Sequence, residues 1–150
     1  MQRKMAEALA TALGGEFVEH SPTDRLPGVN LTLADGFASI EGDSTGWGAA
    51  WRFPSRASYD RYHADGFQGT VPDAADWEQW GSQQWADSLA SILGGQAHHA
   101  GGNCRVVLWT RPDGRFVCIG EESACLMTDR SVWDRMDPSD DDGTEHFDYC

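Results

Sequence analysis

Apolar residues near the start of the chain recur at the spacing of an amphipathic helix. Met5, Leu9 and Leu13 are four residues apart, so they fall on one face of a helix with about 3.6 residues per turn. Gly14 and Gly15 follow at once, and glycine is the residue that most easily takes the positive φ found at helix ends. The pattern predicts a helix that buries one face and ends at this glycine pair.

The pattern then changes to the period of two that is typical of strands. Apolar and polar residues alternate in Val29–Leu33, which predicts a strand with one buried face. Asp35-Gly36 is a turn signal, Phe37–Ile40 returns from it, and Gly48–Phe53 supplies a third strand. The first third of the chain is therefore predicted to form an α-β-β-β unit.

The same signals recur in the second half of the chain. Residues 86–95 match residues 6–15 at six of ten positions, and both segments end in Gly-Gly. A second hairpin turns at Asp113-Gly114 and returns along Phe116–Ile119, and Ala124–Thr128 supplies the third strand. We infer an internal duplication, in which two α-β-β-β units form antiparallel sheet packed against helices, an α+β fold with pseudo-twofold symmetry. A signal peptide would not recur inside the chain, so we expect the first helical segment to be structural.

These signals divide the chain into one domain and a tail. We predict a single α+β domain over residues 1–136, with repeats over about 3–53 and 73–130 joined by an aromatic connector over 54–72. Residues 137–150 are predicted to form an acidic, flexible tail.

The connector contains a candidate short helix. A helix over residues 55–63 would place Tyr59, Tyr62 and His63 on one side. These tyrosines either pack onto the sheet, which is the interpretation we favour, or form an interaction surface.

The second long helix is predicted to begin well before the segment that matches the first. Asp73 is a candidate N-cap, and apolar residues follow it at near-helical spacing. Gly81 lies inside this stretch and costs about 1 kcal/mol relative to alanine, so the helix could break there.

The chain is strongly acidic, and most of the charge lies at one end. It carries 11 Lys and Arg residues against 24 Asp and Glu residues, a formal net charge of −13, and its pI is about 4.5. This balance argues against binding of DNA, RNA or anionic membranes through a general basic surface. No apolar run approaches the roughly 20 residues that span a bilayer. Residues 121–150 hold ten acidic and two basic residues, a net charge of −8.

No motif for catalysis or metal binding can be assembled from the sequence. The four cysteines lack the C-x-x-C spacing of zinc sites, the histidines lack H-E-x-x-H spacing, and there is no P-loop or Gly-x-Ser-x-Gly elbow. Of the cysteines, only Cys118 and Cys125 could be brought together by the predicted hairpins, and we expect them to be reduced. We therefore predict no cofactor, no metal and no enzymatic activity.

The acidic C-terminal end carries the strongest functional signal. Its spaced carboxylates, with two aromatic residues among them, could dock into a basic groove that another protein uses for nucleic acid. The predicted partner-binding residues are Glu121, Glu122, Asp134, Asp137, Asp140, Asp141, Asp142, Glu145, Phe147, Asp148 and Tyr149.

These features predict a small, cytoplasmic, acidic inhibitor that binds a basic, nucleic-acid-handling protein stoichiometrically, as a nucleic-acid mimic. Phage or mobile-element counter-defence proteins, of the anti-CRISPR or anti-restriction type, have this general character. Two alternatives stay open. One is an immunity protein that neutralises a basic toxin, and the other is a small-ligand or enzyme domain with an unrecognised site that draws on His63, Asp65 and the Trp-rich segments. We expect no direct binding to nucleic acid or membrane.

Overall fold

Two five-stranded antiparallel sheets and four helices make up the computed structural model, which describes residues 3–19, 27–43, 46–64, 73–76, 82–100, 104–136 and 144–148. The first sheet contains, in hydrogen-bonded order, β1 (Glu16–Glu19), β2 (Pro27–Leu33), β3 (Gly36–Asp43), β4 (Gly46–Phe53) and β5 (Asp73–Asp76). The second contains β6 (Gln96–His99), β7 (Arg105–Thr110), β8 (Phe116–Ile119), β9 (Ser123–Met127) and β10 (Glu145–Asp148), again in spatial order. The helices are α1 (Arg3–Leu13), α2 (Arg56–Ala64), α3 (Ser82–Leu93) and α4 (Arg130–Arg135). This is an α+β fold, as predicted.

Both long helices lie between the two sheets. α1 packs on β1 and β2 of the first sheet and on β9 and β10 of the second, whereas α3 packs on β6 and β7 and on β4 and β5. Their apolar residues meet the inner faces of both sheets in one central core, which includes Leu9, Leu89, Ile40 and Val107. The short helices lie outside, with α2 on β3 and β4 and α4 on β9. Each sheet therefore has an inner face in the shared core and an outer face under a short helix.

The two halves of the chain have the same element order. The first unit (residues 3–76) and the second unit (residues 82–148) each run helix, four strands, helix and strand. The registers also correspond, since Phe37 lies opposite Thr32 on β2 and Phe116 lies opposite Thr110 on β7. Each unit is larger than the predicted α-β-β-β unit, because β1 and β6 were not predicted and each sheet is completed by a fifth strand.

The two long helices end in the same way, which explains the repeated glycine pairs. Gly14 and Gly94 have φ values of 69° and 73°, in the left-handed region that the helix ends were predicted to need. The N–H groups of Gly15 and Gly95 each donate to the carbonyl five residues earlier, at 2.8 and 2.7 Å. A Cβ at either position would lie 2.7 or 2.6 Å from a carbonyl oxygen of the neighbouring strand, so a larger residue would push the helix off its sheet.

Each unit supplies an arginine to the long helix of the other unit. Arg52 donates to a carbonyl in the last turn of α3 at 2.9 Å, and Arg111 donates to a carbonyl in the last turn of α1 at 3.0 Å. Asp35 and Asp113, at the matched hairpin turns, each bind one of these guanidinium groups. Carbonyls at a helix C-terminus lack partners within the helix and favour cations, so these contacts tie the units together reciprocally.

The second long helix begins later than predicted. Residues 73–76 form β5, which pairs with β4, and α3 begins at Ser82, directly after Gly81. The sequence around Asp73 has the form of a helix N-cap. The segment instead forms backbone hydrogen bonds with the edge of β4, a distant strand that local sequence does not indicate.

The C-terminal end is not a flexible tail throughout, which corrects the prediction. Residues 145–148 form β10, paired antiparallel with β9, and Phe147 lies opposite Ala124. This pairing satisfies the backbone groups at the edge of β9 and packs Phe147 against the central core. Such a long-range contact cannot be read from the local charge pattern. Residues 137–143 and 149–150 lie outside the described residues.

Two finer predictions are confirmed. The short helix of the connector is present as α2, and Tyr59 is buried on the sheet, as in the favoured interpretation. Residues 65–72 of the connector lie outside the described residues. Cys118 lies directly opposite Cys125 in the β8–β9 register, and both are free thiols.

Candidate functional site

The outer face of the first sheet carries an aromatic cluster under α2. Ser55 caps this helix, because its Oγ accepts the Ser58 N–H at 3.2 Å. The helix places Tyr59 against the sheet, where the centre of its ring lies 5.0 Å from that of Phe37 and 5.4 Å from that of Phe53. These rings anchor α2 to β3 and β4.

A cavity of about 150 Å³ lies beside this cluster, between α2 and the sheet. Its walls combine aromatic rings with titratable and hydroxyl side chains. The described residues that line it are Ser39, Glu41, Trp51, Phe53, Tyr59, Tyr62 and His63. Mostly apolar walls with a few convergent polar groups are the usual form of a small-molecule site.

Two polar side chains are buried side by side on this face. Asn30 and Ser39 are register partners on β2 and β3, and their exposed fractions are 3% and 1%. Neither Asn30 Oδ1 nor Ser39 Oγ has a hydrogen-bond partner among the residues that the structure describes. Ser39 lines the cavity, so its hydroxyl can reach a bound molecule. A buried polar atom without a partner costs about 1–3 kcal/mol, which makes this pair an exception that needs a reason.

Glu41 lies on the same face, two residues beyond Ser39. The register between β3 and β4 shifts directly after Glu41, and a β-bulge of this kind re-aims the neighbouring side chain. Burial raises the pKa of Glu41 from 4.5 to about 7. Near neutral pH, its carboxyl group is therefore divided between the neutral and the ionised form.

His63 lines the cavity from the side of the helix. Its ring centre lies 4.3 Å from that of Tyr59 and 6.0 Å from that of Tyr62. Burial lowers the pKa of His63 below 6.5, and the charge of Asp60 opposes this effect only in part. The imidazole is thus neutral at pH 7, a form in which it can both donate and accept a hydrogen bond.

The outer face of the second sheet has an apolar row at the corresponding positions. The row across the first sheet is Asn30, Ser39 and Trp51. The row across the second sheet is Leu108, Cys118 and Cys125. With Phe116, Met127 and Val132, the second row forms an apolar cluster under α4. Gly120 stands two residues beyond Cys118, where the first sheet has Glu41.

The predicted partner-binding residues that the structure describes belong to the second unit, and none of them lines this cavity. Glu121 and Glu122 are exposed in the turn between β8 and β9, and Asp148 lies beside that turn because it pairs with Ser123. Glu121 also accepts a hydrogen bond from Trp85 Nε1 at 3.0 Å. The structure therefore brings three of the predicted carboxylates to one end of the second sheet.

The other predicted residues within the described ranges have partners inside the domain. Asp134 pairs with Arg130 at 3.3 Å on α4, and Glu145 pairs with Arg115 at 3.4 Å. Phe147 is partly buried and packs against the central core. The remaining predicted residues, which lie outside the described ranges, are Asp137, Asp140, Asp141, Asp142 and Tyr149.

Sequence reasoning flagged His63 but missed the polar residues of the sheet. Ser39 and Glu41 alternate with Ala38 and Ile40, which is the pattern of a strand with one face in solvent. Only the docking of α2 turns that face into the wall of a cavity. The one sequence signal was the aromatic connector, whose tyrosines needed a surface on which to pack.

Across the described ranges, no three His, Cys, Asp or Glu side chains are grouped as a metal site, and no helix is long and apolar enough to cross a membrane. No protein-family model matches the chain, and no curated protein or solved structure matches it significantly. Function must therefore be inferred from the site itself.

Proposed function

We propose that the protein binds a small molecule in the cavity between α2 and the first sheet. The observation that carries this proposal is the Ser39 hydroxyl, which is 1% exposed, lines the cavity and has no hydrogen-bond partner among the described residues. A ligand with a polar group at this point would supply the missing hydrogen bond.

The second unit supports this proposal because it shows what the same scaffold does without a polar row. Leu108 and Cys118 stand where the first unit has Asn30 and Ser39, and they pack in an apolar cluster. Folding of such a unit therefore does not require a buried amide and a buried hydroxyl. Their cost of about 1–3 kcal/mol each is accounted for if a ligand offsets it.

The size of the cavity limits the ligand. A volume of about 150 Å³ holds a group about the size of a benzene ring. The aromatic walls favour a flat or rounded apolar body, whereas Ser39, Glu41 and His63 favour polar substituents on it. We therefore propose a ring-sized amphipathic ligand, or a group of that size on a larger molecule.

The test is a binding screen read residue by residue. ¹⁵N-labelled protein is titrated separately with benzyl alcohol, phenol, imidazole and choline, and amide shifts are followed by NMR. We expect at least one probe to move the amides of Ser39, Trp51 and His63 more than those of the second sheet. The double variant Asn30→Leu/Ser39→Cys, which carries the second unit's own residues, should lose the response.

The matched control is Cys118→Ser, which alters the corresponding position of the other outer face. It should leave the probe response unchanged. If no probe moves the cavity amides, or if the double variant responds as strongly as the wild type, the proposed function is wrong.

We also propose that the two units arose by internal duplication. Support comes from the six identities in ten residues, the shared element order and the shared glycine-pair ends of the long helices. Related sequences aligned half against half should keep the Gly-Gly and Asp-Gly matches at the same offsets. Relatives that lack these matches in either half would contradict the proposal.

A second candidate function is the inhibition of a basic, nucleic-acid-handling protein by the acidic end of the second unit. The specific observation in its favour is that Glu121, Glu122 and Asp148 meet at one end of the second sheet, in the part of the chain with a net charge of −8. A partner of this kind would be bound through spaced carboxylates that replace phosphates, and binding should weaken with salt.

One variant distinguishes the two candidate functions. A variant with Asp140, Asp141 and Asp142 changed to Asn would weaken capture of a basic partner from a bacterial lysate and flatten its salt dependence. If the variant captures the same proteins with the same salt dependence, the acidic end is not the contact surface. The variant should respond to the cavity probes as the wild type does.

A further inference from the structure

The cavity has the chemical composition of a site for an organic cation. Its lining holds one carboxylate, from Glu41, and the aromatic rings of Trp51, Phe53, Tyr59 and Tyr62. No lysine or arginine is among the described lining residues. The negative face of an aromatic ring attracts a cation, and a carboxylate attracts it directly.

We propose that the ligand carries an alkylated ammonium group, which the aromatic rings enclose and the Glu41 carboxylate neutralises. This inference rests on the proposed function, since it names the ligand class of the same cavity. The Ser39 hydroxyl would then accept a hydrogen bond from a donor on the ligand or donate one to a polar substituent beside the cation.

Two arginines of α2 form ion pairs and hydrogen bonds with residues outside the cavity lining. The guanidinium group of Arg56 on α2 lies over the ring of Phe37, 5.3 Å from its centre. It also pairs with Asp60 at 3.1 Å and with Glu16 at 3.3 Å. Arg61 is exposed and donates to Ser58 Oγ at 3.5 Å. The net charge of −13 also raises the local concentration of cationic ligands and disfavours anionic ones.

The site links binding to pH. Among the described residues that line the cavity, the titratable groups beside Glu41 are Tyr59, Tyr62 and His63, all on α2. β4 contributes Trp51, and Asn30 on β2 is the uncharged register partner of Ser39. Burial raises the pKa of Glu41 to about 7, so the carboxyl group is mostly neutral at pH 6 and mostly ionised at pH 8. Burial lowers the pKa of His63, which opposes protonation of the imidazole beside the ligand. A cation that requires the ionised carboxylate should bind about tenfold more tightly at pH 8 than at pH 6.

The test compares choline with its neutral isostere, 3,3-dimethylbutan-1-ol, by NMR titration of the full chain at pH 6 and pH 8. We expect choline to bind about tenfold more tightly than the alcohol at pH 8 and to lose that preference at pH 6. Glu41→Gln should abolish both the preference and its pH dependence, whereas the control Cys118→Ser, on the other outer face, should leave both unchanged. Trp51→Leu, which removes one aromatic wall, should weaken choline more than the alcohol.

Each outcome decides one of the two proposals. If both molecules bind equally, or if the alcohol binds more tightly, the cation assignment is overturned and the ligand site stands. If neither binds while phenol or benzyl alcohol moves the cavity amides, the cation assignment again fails alone. If no probe moves those amides, the ligand site and the cation assignment fail together.

Discussion

The outer faces of the two sheets are built on the same plan and filled in opposite ways. Under α4, the second sheet presents Leu108 and Cys118 in a packed apolar cluster. Under α2, the first sheet presents Asn30 and Ser39 at the same positions, beside a cavity. Both are buried, and each has a polar atom without a hydrogen-bond partner among the described residues. Because the strand registers and the covering helices correspond, packing alone does not explain the difference. The second sheet folds without a polar row, so the row in the first sheet is explained if it serves a ligand.

The largest effect should come from giving the second sheet the first sheet's residue. Leu108→Asn removes a buried apolar side chain and buries an amide in an apolar cluster, so we expect a loss of about 4 kcal/mol in the free energy of unfolding. Urea denaturation measures this loss, with Thr110→Asn, at an exposed position of the same strand, as the control. A loss below about 1 kcal/mol would mean that the second outer face tolerates a buried polar residue as well as the first does, which would contradict the proposed difference between the two faces.

The next effect concerns the pH dependence that Glu41 gives the first unit. Its folded pKa is raised from 4.5 to about 7, so the folded protein binds the proton more tightly than the unfolded chain does. The associated stability is complete below pH 4.5 and is lost as the pH rises to about 7, with an amplitude on the order of 2 kcal/mol after allowance for partial exposure. Because other groups also titrate, the measurement is the difference between wild type and Glu41→Gln in chemical denaturation from pH 4 to pH 8. A difference that stays constant across this range would show that Glu41 is not buried as described.

A smaller and symmetric effect is expected at the contacts between the units. Arg52 and Arg111 each donate to the last turn of the other unit's long helix, and their side chains are 19% and 15% exposed. Replacing either by Met leaves a helix carbonyl and a carboxylate without their cation, at a cost of about 1–2 kcal/mol. Thermal unfolding should show similar losses for both variants and almost none for the exposed Arg61→Met. Clearly unequal losses would mean that the two contacts do not have the same role.

The smallest perturbation probes how well the second outer face is packed. Burial raises the pKa of the Cys118 thiol to about 12 and also raises the pKa of Cys125, whereas Cys104 is exposed. Thiolates are the reactive form, so iodoacetamide at pH 8 should modify Cys104 well before Cys125, and Cys118 last. Peptide mapping by mass spectrometry gives the order. Early modification of Cys118 in folded protein would show that α4 does not seal this face.

The sequence predicts those parts of the fold that depend on neighbouring residues. Gly14 and Gly94 end their helices as the Gly-Gly pairs indicated, and Gly114 takes a φ of 88° at the predicted turn. The start of α3 and the strand β10 were mispredicted because both depend on pairing with a distant strand edge. A local cap signal and a local run of acidic residues carry no information about that edge.

The candidate site could not be predicted from the sequence for a related reason. Asn30 and Ser39 meet through the register of two strands, and Glu41 joins them beside a bulge. Their alternation with apolar residues is the same whether that face is covered or open to solvent. The decisive fact, that α2 docks on this face and leaves a cavity, is a tertiary one.

The most direct test of the central claim is the stability of the Asn30→Leu/Ser39→Cys double variant, measured by urea denaturation without ligand. If the polar row is kept for a ligand, the variant should be more stable than the wild type by about 2 kcal/mol, because it removes two buried polar atoms that have no partner among the described residues. If the variant is instead less stable by a similar amount, the polar row supports the fold, and the claim that it serves a ligand is contradicted.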